Sequence, residues 1–426
     1  MVINKYQPYA KYKKVGVDLI DDIPEKWEII RNGALFQERN KKNHPDYEPF
    51  SVSISEGVTP QGYSADEIDK SASDKSSYKV ICKGDIVYNK MRMWQGAVGL
   101  AFRKGIVSPA YVVCNPRLNN INSKYFEYLY RTPLYITESG KYSYGLVDDM
   151  NSLRYESFKA MYSLLPPKST QDAIVNFLDI ETSRIDKLIK KQEGLIKLLE
   201  EKRTALISHA VTKGLDPDVE MKDSGVEWLG EIPKHWEKTK LKYLANVNMG
   251  QSPSSDKYNK KSVGLPFLQG NAEFSSLHPL PDTYCIEPNK TCSEGDILLS
   301  VRAPVGELNI ADQVYGIGRG LCSISPNDSL INDFAWFLLH GVREQLYILA
   351  TGSTYKAVAM DDVENMVCTL PPKIEQKEIA KYLEVNISTI NKLNEKIEKS
   401  IEILHEYRTS LISAAVTGKI DVRDQD

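Results

Sequence analysis

Residues 165–217 and 370–422 align without a gap at a constant offset of 205, and 25 of the 53 positions are identical. A duplication of that length constrains the fold before any single motif does, because both copies must adopt one local structure. Each copy opens with Leu-Pro-Pro-Lys, at Leu165–Lys168 and Leu370–Lys373, and carries a matched glutamine, Gln171 or Gln376. Each closes on a near-identical decapeptide, RTALISHAVT at Arg203–Thr212 and RTSLISAAVT at Arg408–Thr417. The proline pairs cannot sit inside a helix but can lead into one. Beyond them no proline interrupts Ser169–Thr212 or Ile374–Thr417, and apolar residues recur at steps of three, four and seven. In the first copy these are Leu178, Ile185, Leu188, Leu195, Leu199 and Leu206; in the second they are Leu383, Ile390, Leu393, Ile397, Leu404 and Leu411. The spacing predicts, in each copy, a helix of about 40 residues, roughly 60 Å long. Its narrow apolar stripe calls for a partner helix, and the other copy is the best candidate. Gly214 and Gly418 offer helix stops.

A looser repeat precedes each of these segments. GVDLIDDIPEKWE (Gly16–Glu28) resembles GVEWLGEIPKHWE (Gly225–Glu237), and KGDIV (Lys83–Val87) resembles EGDIL (Glu294–Leu298). The offset drifts to 209 and then 211, so insertions separate the copies. The chain reads as A–B–A′–B′, with a first head at 1–164, a helical spacer at 165–217, a second head at 218–369 and a second spacer at 370–426. Within the heads, short apolar runs such as DIVYN (Asp85–Asn89), AYVVCN (Ala110–Asn115) and DILLSV (Asp296–Val301) predict strands. SKYFEYLYRTP (Ser123–Pro133) and NDFAWFLLHGVREQLY (Asn332–Tyr347) predict matched helices. Trp27 and Trp236, in the paired IPxxW segments, read as core anchors. The predicted class is therefore α+β. Two mixed α/β heads are separated by two long antiparallel helices, a coiled-coil spacer with approximate two-fold symmetry.

Composition excludes several functions. No run of about 18 apolar residues exists, so no membrane span is expected, and the polar, basic start MVINKYQPYAKYKK does not read as a secretory signal. Six cysteines without a C-x-x-C pair, and six histidines that do not cluster with them, argue against a zinc site or a disulfide framework; a reducing cytoplasm is expected. There is no G-x-x-x-x-G-K-[ST] loop and no H-E-x-x-H, and GIGRG (Gly316–Gly320) has the wrong spacing for a dinucleotide loop and reads as a glycine turn. Both Pro-Pro pairs follow Leu and precede Lys, unlike the acidic or amide residue and aromatic that amine methylation would require. No catalytic residue, metal site or cofactor is predicted on this chain.

Two heads on a fixed spacer suit a ligand with two sites at fixed separation, and double-stranded DNA with two half-sites is the obvious case. Charge divides unevenly: residues 1–164 hold 23 Lys and Arg against 19 Asp and Glu, a net of +4, whereas residues 224–369 hold 12 against 17, a net of −5. Base-edge and phosphate contacts come from Arg, Lys, Gln, Asn, Ser and Tyr on loops. In the first head the candidates are Lys90, Arg92 and Gln95 in NKMRMWQG, with Ser143, Tyr144, Asn151 and Arg154; Trp94 stacks or packs beside them. In the second head they are Arg302, and Ser353, Thr354, Tyr355 and Lys356 in TGSTYK. Arg203 and Arg408, equivalent across the repeat, are candidates for docking a partner or for closing the helix on a head. A rival reading is a coiled-coil scaffold spacing two protein-binding heads.

The combination of GVEWLGEIPKHWE, GDILLSVRAPVG, LPPK with its glutamine, and the terminal RTALISHAVTKGLDP and RTSLISAAVTGKIDV, duplicated and in this order, resembles the specificity subunit of type I restriction–modification systems. The resemblance covers nearly the whole chain. It implies two target-recognition domains, each reading half of a bipartite DNA site, and helices that set the gap and dock two modification subunits. It implies that S-adenosylmethionine, ATP and Mg belong to partner subunits, with motor–nuclease restriction subunits joining for cleavage. The acidic second head departs from what net charge alone would lead one to expect of a DNA-binding domain.

Overall fold

A computed structural model describes residues 6–62, 75–145, 151–349 and 357–423. The chain divides into two compact units, residues 1–192 with 398–426 and residues 193–397. Both long helices form, over Lys168–Lys213 and Lys373–Val416, each starting on the lysine after its proline pair. Each unit thus takes a segment of each helix.

In the first unit an antiparallel sheet runs in the order Phe36–Glu38, Tyr111–Pro116, Ile86–Asn89, Val98–Leu100. A second sheet runs Gly57–Pro60, Pro49–Ser53, Gly105–Val107, Lys79–Ile81, with its middle pair parallel. Helices Ser123–Tyr130 and Pro133–Lys141 supply buried Tyr125, Phe126, Leu129, Tyr130 and Tyr135 to one core. The helix segments of this unit seal that core: Ile174, Leu178, Ile185 and Ile189 from one, Leu411, Ala414, Ala415 and Val416 from the other. Between the two segments Gln192 Nε2 donates to Ser400 Oγ at 3.0 Å, and Arg408 Nε to Asp186 Oδ1 at 2.8 Å.

The second unit repeats the plan with different residues. Its antiparallel sheet runs Ala245–Met249, Leu321–Pro326, Ile297–Ser300, Leu308–Ile310. Its other sheet again contains a parallel pair, Leu265–Leu268 beside Tyr315–Ile317. Helix Asn332–Val342 buries Phe334, Leu338 and Leu339 with Ile207, Ala210 and Val211 of one long helix and Ile379, Leu383 and Ile387 of the other.

Repeated sequence is explained by repeated geometry. In the first unit, strand Glu28–Arg31 after IPEKW pairs with Tyr162–Leu165 before the prolines; in the second, Glu237–Lys240 pairs with Val367–Leu370. Gln171 is fully buried: its Oε1 accepts from Asn122 N at 2.8 Å, while its Nε2 donates to the Pro166 and Asn120 carbonyls. Gln376 does the same for Ile331 N, Pro371 O and Ser329 O. One amide side chain satisfies three backbone groups, of which the Pro166 or Pro371 carbonyl would otherwise be stranded in the core. Trp27 and Trp236 are buried, as expected of anchors. The left-handed glycines Gly418 (φ 74°) and Gly214 (φ 80°) end the helices against them, and an added Cβ would lie 3.2 Å from either indole.

One expectation fails in part. Leu188 (42% exposed), Leu195 (45%) and Leu393 (43%) do not join the packed stripe, whereas Ile174 and Ile189 do. Ten residues separate Leu178 from Leu188, and at 3.6 residues per turn the second falls about 80° behind the first. Steps of seven and three drift off a straight helix's buried face.

Candidate nucleic-acid interface

The GDI motif builds the same device in each head. Asp85 is buried, accepting Cys82 N at 2.8 Å and, through both carboxylate oxygens, the Arg39 guanidinium. Asp296 accepts Ser293 N at 2.8 Å and Ser325 Oγ at 2.6 Å. The aspartate closes a turn and launches a buried strand, and the residues after that strand are presented at the rim.

In the first head that rim is NKMRMWQG. Asn89 Oδ1 accepts Met91 N at 3.0 Å, Trp94 Nε1 donates to Met91 O at 2.9 Å, and a 3₁₀ turn over Met93–Gln95 ends at left-handed Gly96. Internal hydrogen bonds fix this loop, so Arg92 and Gln95 are exposed on a firm base. Leu153 N donates to Lys90 O at 2.9 Å, and Tyr144 bridges Ser152. The fold therefore brings Lys90, Tyr144 and the Asn151–Arg154 segment to one edge. Ser143 is turned back, its Oγ donating to Ser139 O. Burial first, then Lys79 and Arg154 against an opposing Glu38, hold the Lys90 ammonium below its ordinary range.

The second head keeps the frame. Val358 N donates to Val301 O at 3.0 Å, and the exposed Arg302 bridges Ala357. Ser353, Thr354, Tyr355 and Lys356 lie outside the described residues. GIGRG is a strand followed by a turn, in keeping with the glycine-turn reading. That reading passed over Arg319, exposed in the turn, with Ser252 Oγ accepting both Arg319 N and Gln269 Nε2. The available signal was an arginine between two glycines where backbones pack closely. Arg408, in the first unit, pairs with Asp186; Arg203, in the second, is half-buried, and burial followed by Arg343 lowers its pKa. Among the described residues no group of three His, Cys, Asp or Glu forms a metal site, all six cysteines are free, and no helix is long and apolar enough to cross a membrane.

Residues 233–403 match the family model described as the Type I restriction modification DNA specificity domain. The MjaX specificity subunit of a type I restriction enzyme, from Methanocaldococcus jannaschii, is 32% identical over 99% of this chain and 100% of its own length. This chain belongs to the type I restriction enzyme specificity subunits. Solved structures agree on the fold. A chain from a type I R-M system, solved for its complex assembly and conformational transition, has a TM-score of 0.78 at 24% identity, covering 93% of this chain and 99% of that one. The HsdS subunit from Thermoanaerobacter tengcongensis has a TM-score of 0.59 at 25% identity over 93% and 98%. For this specificity subunit, DNA sequence recognition is the function; among the described residues the first head presents Lys90, Arg92 and Gln95 after its GDI strand, and the second presents Arg302.

Proposed function

We propose that this specificity subunit is the non-catalytic reading component of a type I complex. Each head reads one half of a bipartite double-stranded DNA site, and the long helices set the gap and dock two modification subunits. The observation that carries the proposal is the contrast between what the duplication kept and what it changed. Ile180 and Val385 are 67% and 60% exposed, and Leu198 and Ile403 61% and 60%; each pair is equivalent at offset 205, as are the exposed Leu188 and Leu393. Lysines flank them at matched positions, Lys187 with Lys392 and Lys191 with Lys396. Exposed aliphatic side chains on a helix mark a binding surface, and the same surface twice suits two copies of one partner. What changed is the rim: Lys90-Met91-Arg92 in one head, Val301-Arg302-Ala303 in the other. Different donors suit different half-sites. S-adenosylmethionine, ATP and Mg chemistry falls to the modification and restriction subunits.

The test is co-expression with the modification subunit and mapping of methylated adenines. Exchanging one head is expected to change one half-site and leave the other. Inserting two helical turns into both helices is expected to widen the gap and keep both halves. Methylation without sequence preference, or a head exchange that alters every specified base at once, overturns the proposal; a stable complex blind to DNA sequence favours a protein scaffold instead.

A further inference from the structure

Equivalent positions of the two units treat charge differently where the long helix meets the head. The buried glutamines bond Asn122 N and Ile331 N, which fixes an offset of 209 for the head helices that come next. Arg131 is then equivalent to His340, and Glu127 to Trp336. On the long helices, Arg408 is equivalent to Arg203 and Asp186 to Asn391.

In the first unit the cations are answered. Arg408 pairs with Asp186, and Arg131 donates to the carbonyls of Ile54, at 2.7 Å, and Ser55, with Glu127 one turn before it. In the second unit both carboxylate positions are neutral, Asn391 and Trp336, and the head's arginine stands at Arg343, where the first has Leu134, the Arg131 position being His340. Arg343 Nη1 donates to Gly306 O at 3.3 Å, in the loop that begins at Arg302. Arg203 has no hydrogen bond or ion pair among the described residues; Glu200, on its own helix, offsets part of its charge. The head helix packs on the long helix at Gly341, where an added Cβ would meet Val211 and Ser208, one turn beyond Arg203; the neighbouring His340 has its ring edge-on to Trp336 with centroids 4.5 Å apart, and its buried Nε2 has no partner among the described residues. The second unit thus lacks both carboxylates at this place while keeping the same number of arginines, Arg203 and Arg343 against Arg408 and Arg131. Arg343 is held by a carbonyl as Arg131 is, but a half-buried guanidinium without any such partner, as at Arg203, is costly unless an anion visits it.

We infer that Arg203 and Arg343, with His340 beside them, form a phosphate-binding site for the DNA backbone, present in the second unit and absent from the first. This rests on the DNA-recognition reading. It explains how an acidic head holds DNA: bulk charge is replaced by a local site next to the Arg302 rim. Phosphate contacts set position and carry no sequence information.

The experiment uses the complex assembled with its modification subunit, and measures affinity for cognate and unrelated duplexes as a function of salt. R203Q, R343Q and N391D are compared with the natural chain. N391D places a carboxylate where the first unit pairs its arginine, so it answers Arg203 without removing any side chain the core needs. Each variant is expected to weaken binding roughly tenfold on both duplexes and to lower the slope of log affinity against log salt by about one. If the natural complex binds no DNA, the recognition reading itself fails. If it binds and all three variants keep its affinity and slope, this inference alone is overturned. Loss of the modification subunit from the R203Q complex would assign the site to a protein carboxylate, and would equally overturn it.

Discussion

In the first unit a surface ion pair, Arg408 with Asp186, joins the two helix segments, and Arg131 is spent on loop carbonyls. In the second, the equivalent places hold Arg203, matched with an asparagine position, and a half-buried histidine whose protonation both Arg343 and Arg203 oppose. Yet both units hang their head helix on an identical buried glutamine and end a long helix on an identical tryptophan. Duplication has preserved the groups that satisfy the backbone and fill the core, while charge has been free to diverge. Backbone satisfaction is a property of the fold and must be met in each copy. Charge at a rim is set by what each head meets.

The sharpest test of the shared half of this comparison is the glutamine. Q171L and Q376L keep volume but strand one buried carbonyl, of Pro166 or Pro371, and take the partner from an amide and a second carbonyl that are part-buried. Each is expected to cost about 3 kcal/mol, and each only in its own unit. Urea unfolding read by pulsed labelling of buried thiols separates the two, since Cys114 reports the first unit and Cys368 the second. A cost below about 1 kcal/mol, or an equal loss in both units from one substitution, would break the equivalence.

The divergent half is tested by pH. Burial, then Arg343 and Arg203, push His340 down to about 3 from its ordinary 6.5. The folded pKa is the lower one, so below about pH 6.5 the unfolded chain binds a proton that the folded unit refuses. Stability of the second unit is therefore full above that pH and falls as pH drops, by about 1.4 kcal/mol per pH unit. Between about pH 6.5 and 5 the second unit is expected to lose about 2 kcal/mol more in the natural chain than in H340L. The first unit has the non-titrating Arg131 at this position and no such difference. The same labelling experiment, its pulse delivered at one fixed pH, measures both; identical pH slopes with and without the histidine would sink the prediction.

How much of the molecule is legible in its sequence depends on the kind of signal each feature leaves. The long helices, the two heads and the anchoring tryptophans are readable, because a gapless repeat and a helical period are local patterns. The exposure of Leu188, Leu195 and Leu393 is not, because a three-four-seven count hides the drift of a straight helix. The gathering of Lys90, Tyr144 and Leu153 at one edge rests on hydrogen bonds between residues far apart in sequence, which no spacing encodes. Arg203 and Arg408 look interchangeable because their own decapeptides match. The difference lies in Asp186 and Asn391, one mismatch among the 28 in the repeat, and it acquires meaning only once the fold sets a helix segment opposite each arginine.

That mismatch gives the smallest effect and the most direct comparison. The Arg408–Asp186 pair is partly exposed, with 35% and 53% of the two side chains accessible, so solvent screens it and its worth is about 0.5 kcal/mol. D186N is expected to destabilise the first unit by that amount. N391D is expected to stabilise the second by about as much, since among the described residues no carboxylate pairs with Arg203. Raising salt to about 1 M should shrink both changes, because the screening length falls to about 3 Å. The signs matter more than the sizes. Reciprocal substitutions that move the two units in opposite directions mean that one helix–helix position has been tuned for cohesion in the first copy and released from it in the second. If N391D destabilised its unit, the site would already be holding its arginine by other means, and the contrast between the copies would have to be sought elsewhere.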